Sequence, residues 1–216
     1  MNTMQVNERP IIFSGEMVLA ILDGHKMQTR RVVNPQPNDA WARDANIARV
    51  TNDEYFWASG DCISELKCHF WVGRRLWVRE TFSLIWTEYE PCWEEDETIR
   101  DVPHQIHYRA DTDDKYPSEW PADMGDDPEC PKWRPSIHMP RWASRITLEI
   151  TDVRVERVQD ISDDDAKAEG SKFGNAMWPS DRTTFELLWD SLNAKRGFGW
   201  ETNPWVWVIA FKRIET

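Results

Sequence analysis

Two apolar segments near the C-terminal end of the chain constrain the fold most strongly, because both have the pattern of β-strands. Residues 205–211 are apolar on both faces, which predicts a central strand buried in a sheet. Apolar residues also alternate along 146–155, and the phase of this alternation changes at 151–152. The alternating residues are Ile146, Leu148, Ile150, Val153 and Val155. The second pattern predicts one long strand with a bulge or bend at the phase change.

Capping residues predict where the helices begin and end. Ser14 is a suitable N-cap for a helix that ends before Gly24. Ser162, followed three residues later by an aspartate, begins a short helix that Gly170 ends. Apolar residues at helical spacing predict another helix over 185–192.

Shorter strands are predicted at 76–81 and 104–108, and residues 38–73 are predicted to be loop-rich. Separated strands with short helices between them are typical of a mixed α+β domain built on a small β-barrel. We therefore expect one domain over residues 1–216.

The negative charge of the chain is concentrated in one segment. Residues 86–129 contain 15 acidic and three basic residues, a net charge of −12 that equals the formal charge of the whole chain. This segment is also rich in proline, and a small core cannot bury so much charge. We predict that 88–129 form a peripheral acidic insertion. Residues 130–148, in contrast, contain no acidic residue.

Composition excludes several classes of protein. Fourteen Trp residues are too many for a disordered chain, and no apolar run reaches the roughly 20 residues that span a bilayer. The first ten residues lack the pattern of a signal peptide. Four unevenly spaced Cys without a CxxC motif predict neither a disulfide scaffold nor a metal site. We expect a cytoplasmic protein without a metal or cofactor.

A group of reactive side chains follows the first predicted helix. Lys26, Thr29 and Arg31 come directly after the helix stop at Gly24. A partly desolvated lysine there can act as a general base, with Thr29 as nucleophile or water positioner and Arg31 as a fixed charge for a phosphate or carbonyl oxygen. Basic residues are also common after helix C-termini, so the spacing alone does not decide between a site and a solvated surface.

The acid-free segment is a candidate nucleic-acid interface, because aromatic rings beside cations are what base stacking requires. Ser136 and His138 are candidates for donating to a phosphate or base edge, and each can instead stabilise a turn. Arg145 begins the long strand, where it can pair with a carboxylate. The remaining candidates in this segment are Trp133, Arg134, Arg141 and Trp142.

Residues 24–31 (GHKMQTRR) match GxKxxTxR, which resembles the signature of ASCH domains in the PUA-like superfamily. Residues 161–170 resemble the short helix that carries a functional glutamate in that family. The chain is more closely similar to ASCH-like proteins encoded by tailed phages and prophages of bacteria. The similar segments are 76–81 (LWVRET), 133–146 (WRPSIHMPRWASRI) and 203–208 (NPWVWV).

The resemblance implies a five- or six-stranded barrel flanked by helices, with a cleft under the Lys26 segment, in a bacterial host cytoplasm. It also implies binding of RNA or modified bases, in which Arg79 of the LWVRET segment would take part. Small ASCH proteins that deacetylate N4-acetylcytidine use a Lys, a Thr and a Glu, which match Lys26, Thr29 and Glu169. This chain is about twice their size, and it has Gly73-Arg74 where the family has Gly-Asp.

Three functions are therefore possible for this sequence. The first is an amidohydrolase acting on a modified nucleoside such as N4-acetylcytidine. The second is a binding module for RNA or a modified base. The third is a phage accessory protein whose acidic insertion docks on a host protein. A fold that carries both hydrolases and binding modules does not distinguish the first two.

Overall fold

The structure is a computed structural model, and it describes residues 8–37, 45–51, 54–59, 67–85, 105–112, 133–170 and 180–214. Its strands are β1 (Glu8–Ile12), β2 (Gln28–Val32), β3 (Ala45–Thr51), β4 (Glu54–Ser59), β5 (Lys67–Cys68), β6 (Arg75–Arg79), β7 (Phe82–Ile85), β8 (Gln105–Tyr108), β9 (Thr147–Arg157) and β10 (Trp205–Ile214). Its α-helices are α1 (Gly15–Leu22), α2 (Asp163–Ala168) and α3 (Asp181–Asn193). The fold is a mixed α+β fold with few helices.

The largest sheet has five strands in the order β1-β6-β9-β10-β2. Strand β10 lies between β9 and β2 and is antiparallel to both, and residues 206–209 are all buried, as their apolar pattern predicts. The register between β9 and β10 skips Thr151, which is the bulge that the phase change predicts. Strands β1 and β2 are the two ends of this sheet, so the described strands form an open sheet and close no barrel.

The chain divides into two compact units. Unit 1 comprises Met1–Arg9, Ala20–Leu76 and Ile146–Thr216, and unit 2 comprises Pro10–Leu19 and Trp77–Arg145.

The core of unit 1 lies between the sheet and the helices α2 and α3. Val206 and Val208 of β10 project toward the helices, and Ala166 of α2 and Phe185 and Trp189 of α3 pack against them. The spacing of Phe185 and Trp189 places both rings on one face of α3, where their centroids are 6.0 Å apart. This packing holds the end of α2 over strand β2.

The core of unit 2 is a small cluster of Phe82, Met139 and Ala143, covered by residues of the β7–β8 hairpin. Phe82 also forms an isolated antiparallel bridge with Arg134. The 3-10 turns at 136–138 and 141–143 follow Arg134 in the chain.

The structure overturns one sequence prediction and covers only a small part of the segment that another concerns. Residues 38–73 are predicted to be loop-rich, but 45–51, 54–59 and 67–68 form the antiparallel sheet β3-β4-β5. That prediction was wrong because these strands pair with each other, and their sequences lack a regular alternation of apolar and polar residues. Of the predicted insertion at 88–129, only 105–112 lie within the described residues, and 105–108 form β8. The prediction for the rest of that insertion lies outside the described residues. No helix among the described residues is long and apolar enough to cross a membrane.

Candidate active site

The backbone brings the end of helix α1 and the end of helix α2 together. Lys26 donates its amide to the carbonyl of Ala20, so the chain turns back directly after α1. Lys26 and Glu169 form an isolated antiparallel bridge, and the Met27 amide donates to the carbonyl of Ala168 at 2.8 Å. Lys26 and Glu169 are thus held by main-chain hydrogen bonds as well as by their side chains.

Gly170 makes this close approach possible. Its φ is +82°, a conformation that favours glycine, and a Cβ atom there would lie 3.0 Å from the Cβ atoms of Ala20 and Lys26. The glycine that ends α2 is therefore required both by the turn and by the contact with the Lys26 segment.

The side chains of Lys26 and Glu169 form a buried ion pair. Nζ of Lys26 lies 2.9 Å from Oε2 of Glu169 and donates to the Glu169 main-chain carbonyl at 2.6 Å. The relative exposure of the two side chains is 0% and 5%. Burial lowers the pKa of Lys26 below its ordinary value, although the Glu169 carboxylate opposes this shift. The pair combines a desolvated amine with a carboxylate that orients it, which is the arrangement a lysine base needs.

Arg30 holds the second oxygen of Glu169. Its Nη1 donates to Oε1 at 3.1 Å, and its Nη2 lies 3.2 Å from both Glu156 and Asp165. The Arg30 side chain has no exposed surface, and its guanidinium lies 5.7 Å from the centre of the Phe185 ring. One buried guanidinium therefore contacts three carboxylates from two different elements.

A second layer of contacts surrounds Asp165, one helical turn before Glu169. Gln28 donates to its carbonyl and to Oδ1 at 2.8 and 2.9 Å, and Arg154 donates to Oδ2 at 2.9 Å. Burial raises the pKa of Asp165, but the Gln28 hydrogen bond and the charges of Arg30 and Arg154 outweigh it, so the pKa falls below its ordinary value. We call Lys26, Arg30, Arg154, Glu156, Asp165 and Glu169 the charge cluster; all six belong to unit 1.

Thr29 and Arg31 lie on the other face of β2. Residues alternate along a strand, so Thr29, in register with Ile209, projects away from the face that carries Gln28 and Arg30. Thr29 is buried. Burial lowers the pKa of Arg31, and the Glu169 carboxylate opposes that shift. The structure thus joins Lys26 with Glu169, places the Thr29 side chain on the opposite face from Arg30, and keeps Arg31 close enough for its charge to act on both Lys26 and Glu169.

The remaining predicted binding residues all belong to unit 2. Arg79 lies 4.6 Å from the centre of the Trp77 ring and donates to the carbonyl of Ile137 at 3.1 Å. Trp133, Ser136 and Arg141 are partly buried. The exposed residues of this segment, which we call the basic-aromatic surface, are Arg134, Pro135, Ile137, His138 and Trp142. Ile137 and Trp142 are 58% and 61% exposed.

Arg145 pairs with carboxylates, as its position at the start of β9 predicts. Its Nε and Nη2 donate to Glu80 at 2.9 Å, and its Nη1 donates to Asp111 at 2.6 Å. It also lies 3.9 Å from the centre of the Tyr108 ring. Burial raises the pKa of Glu80, and Arg145 only partly reverses the shift. Arg145 is neutralised within unit 2 and does not belong to the basic-aromatic surface.

The described residues contain no group of three or more His, Cys, Asp or Glu side chains that could hold a metal ion. Cys68 is buried and hydrogen-bonds to the carbonyl of Phe70 at 3.0 Å. Burial raises the pKa of its thiol to about 11, so the thiol is protonated near neutral pH.

The sequence motifs predict no role in the site for Gln28, Arg30, Glu156 or Arg154, and they place Asp165 only in a helix cap. Two signals point to some of them. Gln28 and Arg30 continue the two-residue spacing that starts at Lys26, and Asp165 precedes Glu169 by four residues on one helix face. Neither signal identifies the partner across the fold.

Comparisons with known protein families, characterised proteins and experimentally determined structures found no match. The ASCH resemblance therefore stays a prediction.

Proposed function

We propose that this protein hydrolyses an acyl amide on a modified nucleoside of the N4-acetylcytidine class. The observation that carries the proposal is the buried pair of Lys26 and Glu169, with Nζ and Oε2 2.9 Å apart and the pKa of Lys26 lowered by burial. A desolvated lysine with a lowered pKa loses its proton more readily than an exposed lysine does, which is what a general base requires. Membership of the ASCH family in the PUA-like superfamily is part of the same proposal, which rests on the GxKxxTxR motif.

The proposed reaction begins with neutral Lys26. The amine takes a proton from a water molecule, whose oxygen attacks the amide carbonyl carbon. Glu169 orients the amine and then passes the proton to the departing nitrogen as the carbon–nitrogen bond breaks. The products are a carboxylic acid and the free amine of the base, and the protons balance without a cofactor.

The attacking oxygen can also belong to Thr29, as the sequence analysis allows. Its place on the face of β2 opposite to Arg30 favours water over the Thr29 hydroxyl. A covalent acyl-Thr29 intermediate would accumulate in a burst with an activated ester substrate, whereas direct attack by water gives no burst.

Access to the amine is a further requirement. Since the Lys26 side chain has no exposed surface, the segment around the Lys26–Glu169 bridge must open before an acyl group reaches Nζ. Hydrogen exchange at the amides of Lys26 and Met27 should then be accelerated relative to the interior of β10.

The proposal is tested by incubating the protein with a panel of acylated nucleosides and following deacylation by mass spectrometry. Lys26→Ala and Glu169→Gln should each lower turnover by roughly 10²-fold or more. Lys26→Arg should lose nearly as much, because a guanidinium is not a base near neutral pH. The exposed pair of Lys212 and Glu149 is a matched control, and Lys212→Arg should leave turnover unchanged. Full activity in Lys26→Arg would contradict the base assignment.

A second candidate function is binding of single-stranded RNA at the basic-aromatic surface. The observation that favours it is an indole 61% exposed in the same acid-free segment as the exposed Arg134 and His138. Trp142→Ala should weaken binding by about 1–3 kcal/mol. Arg134→Ala should reduce the slope of binding against salt concentration by about one unit, whereas Arg213→Ala, on an exposed part of unit 1, should not. Unchanged binding in both test variants would exclude this surface.

A further inference from the structure

Arg30 stands out in the charge cluster because it is fully buried and is not part of the GxKxxTxR motif. Its two terminal nitrogens divide their contacts, with Nη1 on Glu169 and Nη2 on Glu156 and Asp165. Oxygen Oε1 of Glu169 is therefore occupied by Arg30, and Oε2 is left for Lys26.

We propose that Arg30 is the positioning residue of this site, which fixes the Glu169 carboxylate and shares its charge so that the Lys26 amine is free to take up a proton. The catalytic part of this inference rests on the function proposed above. Arg30 touches no reacting atom and acts only through Glu169 and Lys26.

The physical argument concerns one carboxylate with two cationic partners. If Glu169 were paired with Lys26 alone, its full charge would favour the ammonium form of the lysine. Arg30 draws part of that charge to Oε1, and the positive charges of Arg31 and Arg30 also disfavour the ammonium form. Both effects act in the same direction as burial. Arg30 therefore counteracts the rise in the pKa of Lys26 that the Glu169 carboxylate causes.

Among the described residues, charged groups approach the pair from three elements. Glu169 and Asp165 face it from α2, Arg30 and Arg31 from β2, and Arg154 and Glu156 from β9. Arg196, near Arg31, adds a further positive charge at longer range.

Arg154 provides a matched control. It also donates to Glu156 and Asp165, but the carboxylates it contacts in the described residues do not include Glu169. A substitution there weakens the same cluster of carboxylates and leaves the proposed charge-sharing through Glu169 in place.

The experiment measures the titration of Lys26 by the ¹³Cε shift of labelled lysine, in the wild type, Arg30→Met, Arg30→Lys and Arg154→Met. In the wild type, Lys26 should titrate below 10.5. Arg30→Met should raise its midpoint by about one pH unit or more, and Arg154→Met should move it much less. Arg30→Lys keeps the charge but reaches fewer carboxylates. The Lys26 midpoint in Arg30→Lys should therefore lie between those in the wild type and in Arg30→Met.

Activity adds a second readout. The alkaline shift of the pH profile of kcat in Arg30→Met should match the shift of the Lys26 midpoint, with KM little changed. A midpoint in Arg30→Met equal to that in Arg154→Met would overturn the proposal. So would a wild-type Lys26 that titrates at or above 10.5, a measurement that does not depend on any variant folding.

The two proposals fail separately. If the Lys26 midpoint moves as expected but the wild type deacylates no nucleoside, the charge-sharing by Arg30 stands and the hydrolase function is wrong. If the wild type is active and the midpoint does not move, the hydrolase function stands and the role of Arg30 is wrong.

Discussion

Substitutions of the two partners of the buried ion pair are expected to reduce the stability of the fold by unequal amounts. Glu169→Gln removes the carboxylate charge that faces both Lys26 and Arg30; Arg30 keeps its contacts with Glu156 and Asp165, whereas the buried Lys26 loses the charge with which it is paired. Lys26→Met removes one cation, and Glu169 keeps its hydrogen bond from Arg30. We therefore expect the carboxylate substitution to destabilise the fold more than the lysine substitution does.

The magnitudes follow from these contacts. Removing one partner of a buried charged group costs about 3–5 kcal/mol, which we expect for Glu169→Gln. Losing charge-assisted hydrogen bonds while the remaining charge keeps a partner costs less, about 1–2 kcal/mol for Lys26→Met. The half-exposed pair of Lys212 and Glu149 is the control, and Glu149→Gln should cost under about 1 kcal/mol.

Urea unfolding at pH 7, followed by Trp fluorescence and circular dichroism, measures these differences. The pH dependence gives a second check. Because the folded pKa of Lys26 lies below 10.5, the unfolded chain binds more protons between the two values, and stability rises with pH there. Glu169→Gln lowers the folded pKa further, so the rise should begin at lower pH and be larger. A loss in Lys26→Met equal to or greater than that in Glu169→Gln would refute the reasoning.

Three further outcomes are expected. Gly170→Ala should destabilise the protein by about 1–3 kcal/mol in the same urea assay, because of its positive φ and the 3.0 Å contacts of a Cβ atom; an unchanged midpoint would contradict this. Cys68 should resist alkylation at pH 8 in the folded protein and react only with unfolding; rapid labelling in native buffer would show that its thiol is accessible. Asp165 stabilises the fold above pH 3.8, and this contribution is lost as the pH falls through its lowered folded pKa, so Asp165→Asn should flatten the acid unfolding curve below pH 3.8. An identical acid limb in both proteins would contradict it.

Local signals in the sequence predicted the elements well. Ser162 accepts the Asp165 amide at 3.1 Å, and the short helix ends before Gly170 as expected. The bulge opposite β10 lies at Thr151, where the alternation changes phase. These features depend on a few neighbouring residues, since caps, left-handed glycines and strand alternation are set by the backbone within one or two turns.

The pairing of Lys26 with Glu169 was expected only from the motif resemblance, because 143 residues separate the two in the chain. Local sequence patterns do not determine which carboxylate pairs with which cation at such a separation. The spacing after α1 placed Arg31 in the site, and its charge does act on both Lys26 and Glu169; the structure adds Arg30, which contacts Glu169 directly.

The sequence by itself determined the helix ends, the long bulged strand, the buried central strand and the reactive types of side chain after α1. The tertiary structure decided that the five-stranded sheet is open, that residues 45–51 and 54–59 form strands, and that Arg30 and Asp165 surround Glu169. The reason is the range of the forces involved. Caps and periodicity act over a few residues, whereas the position of a buried charge depends on which distant elements pack against it and exclude water.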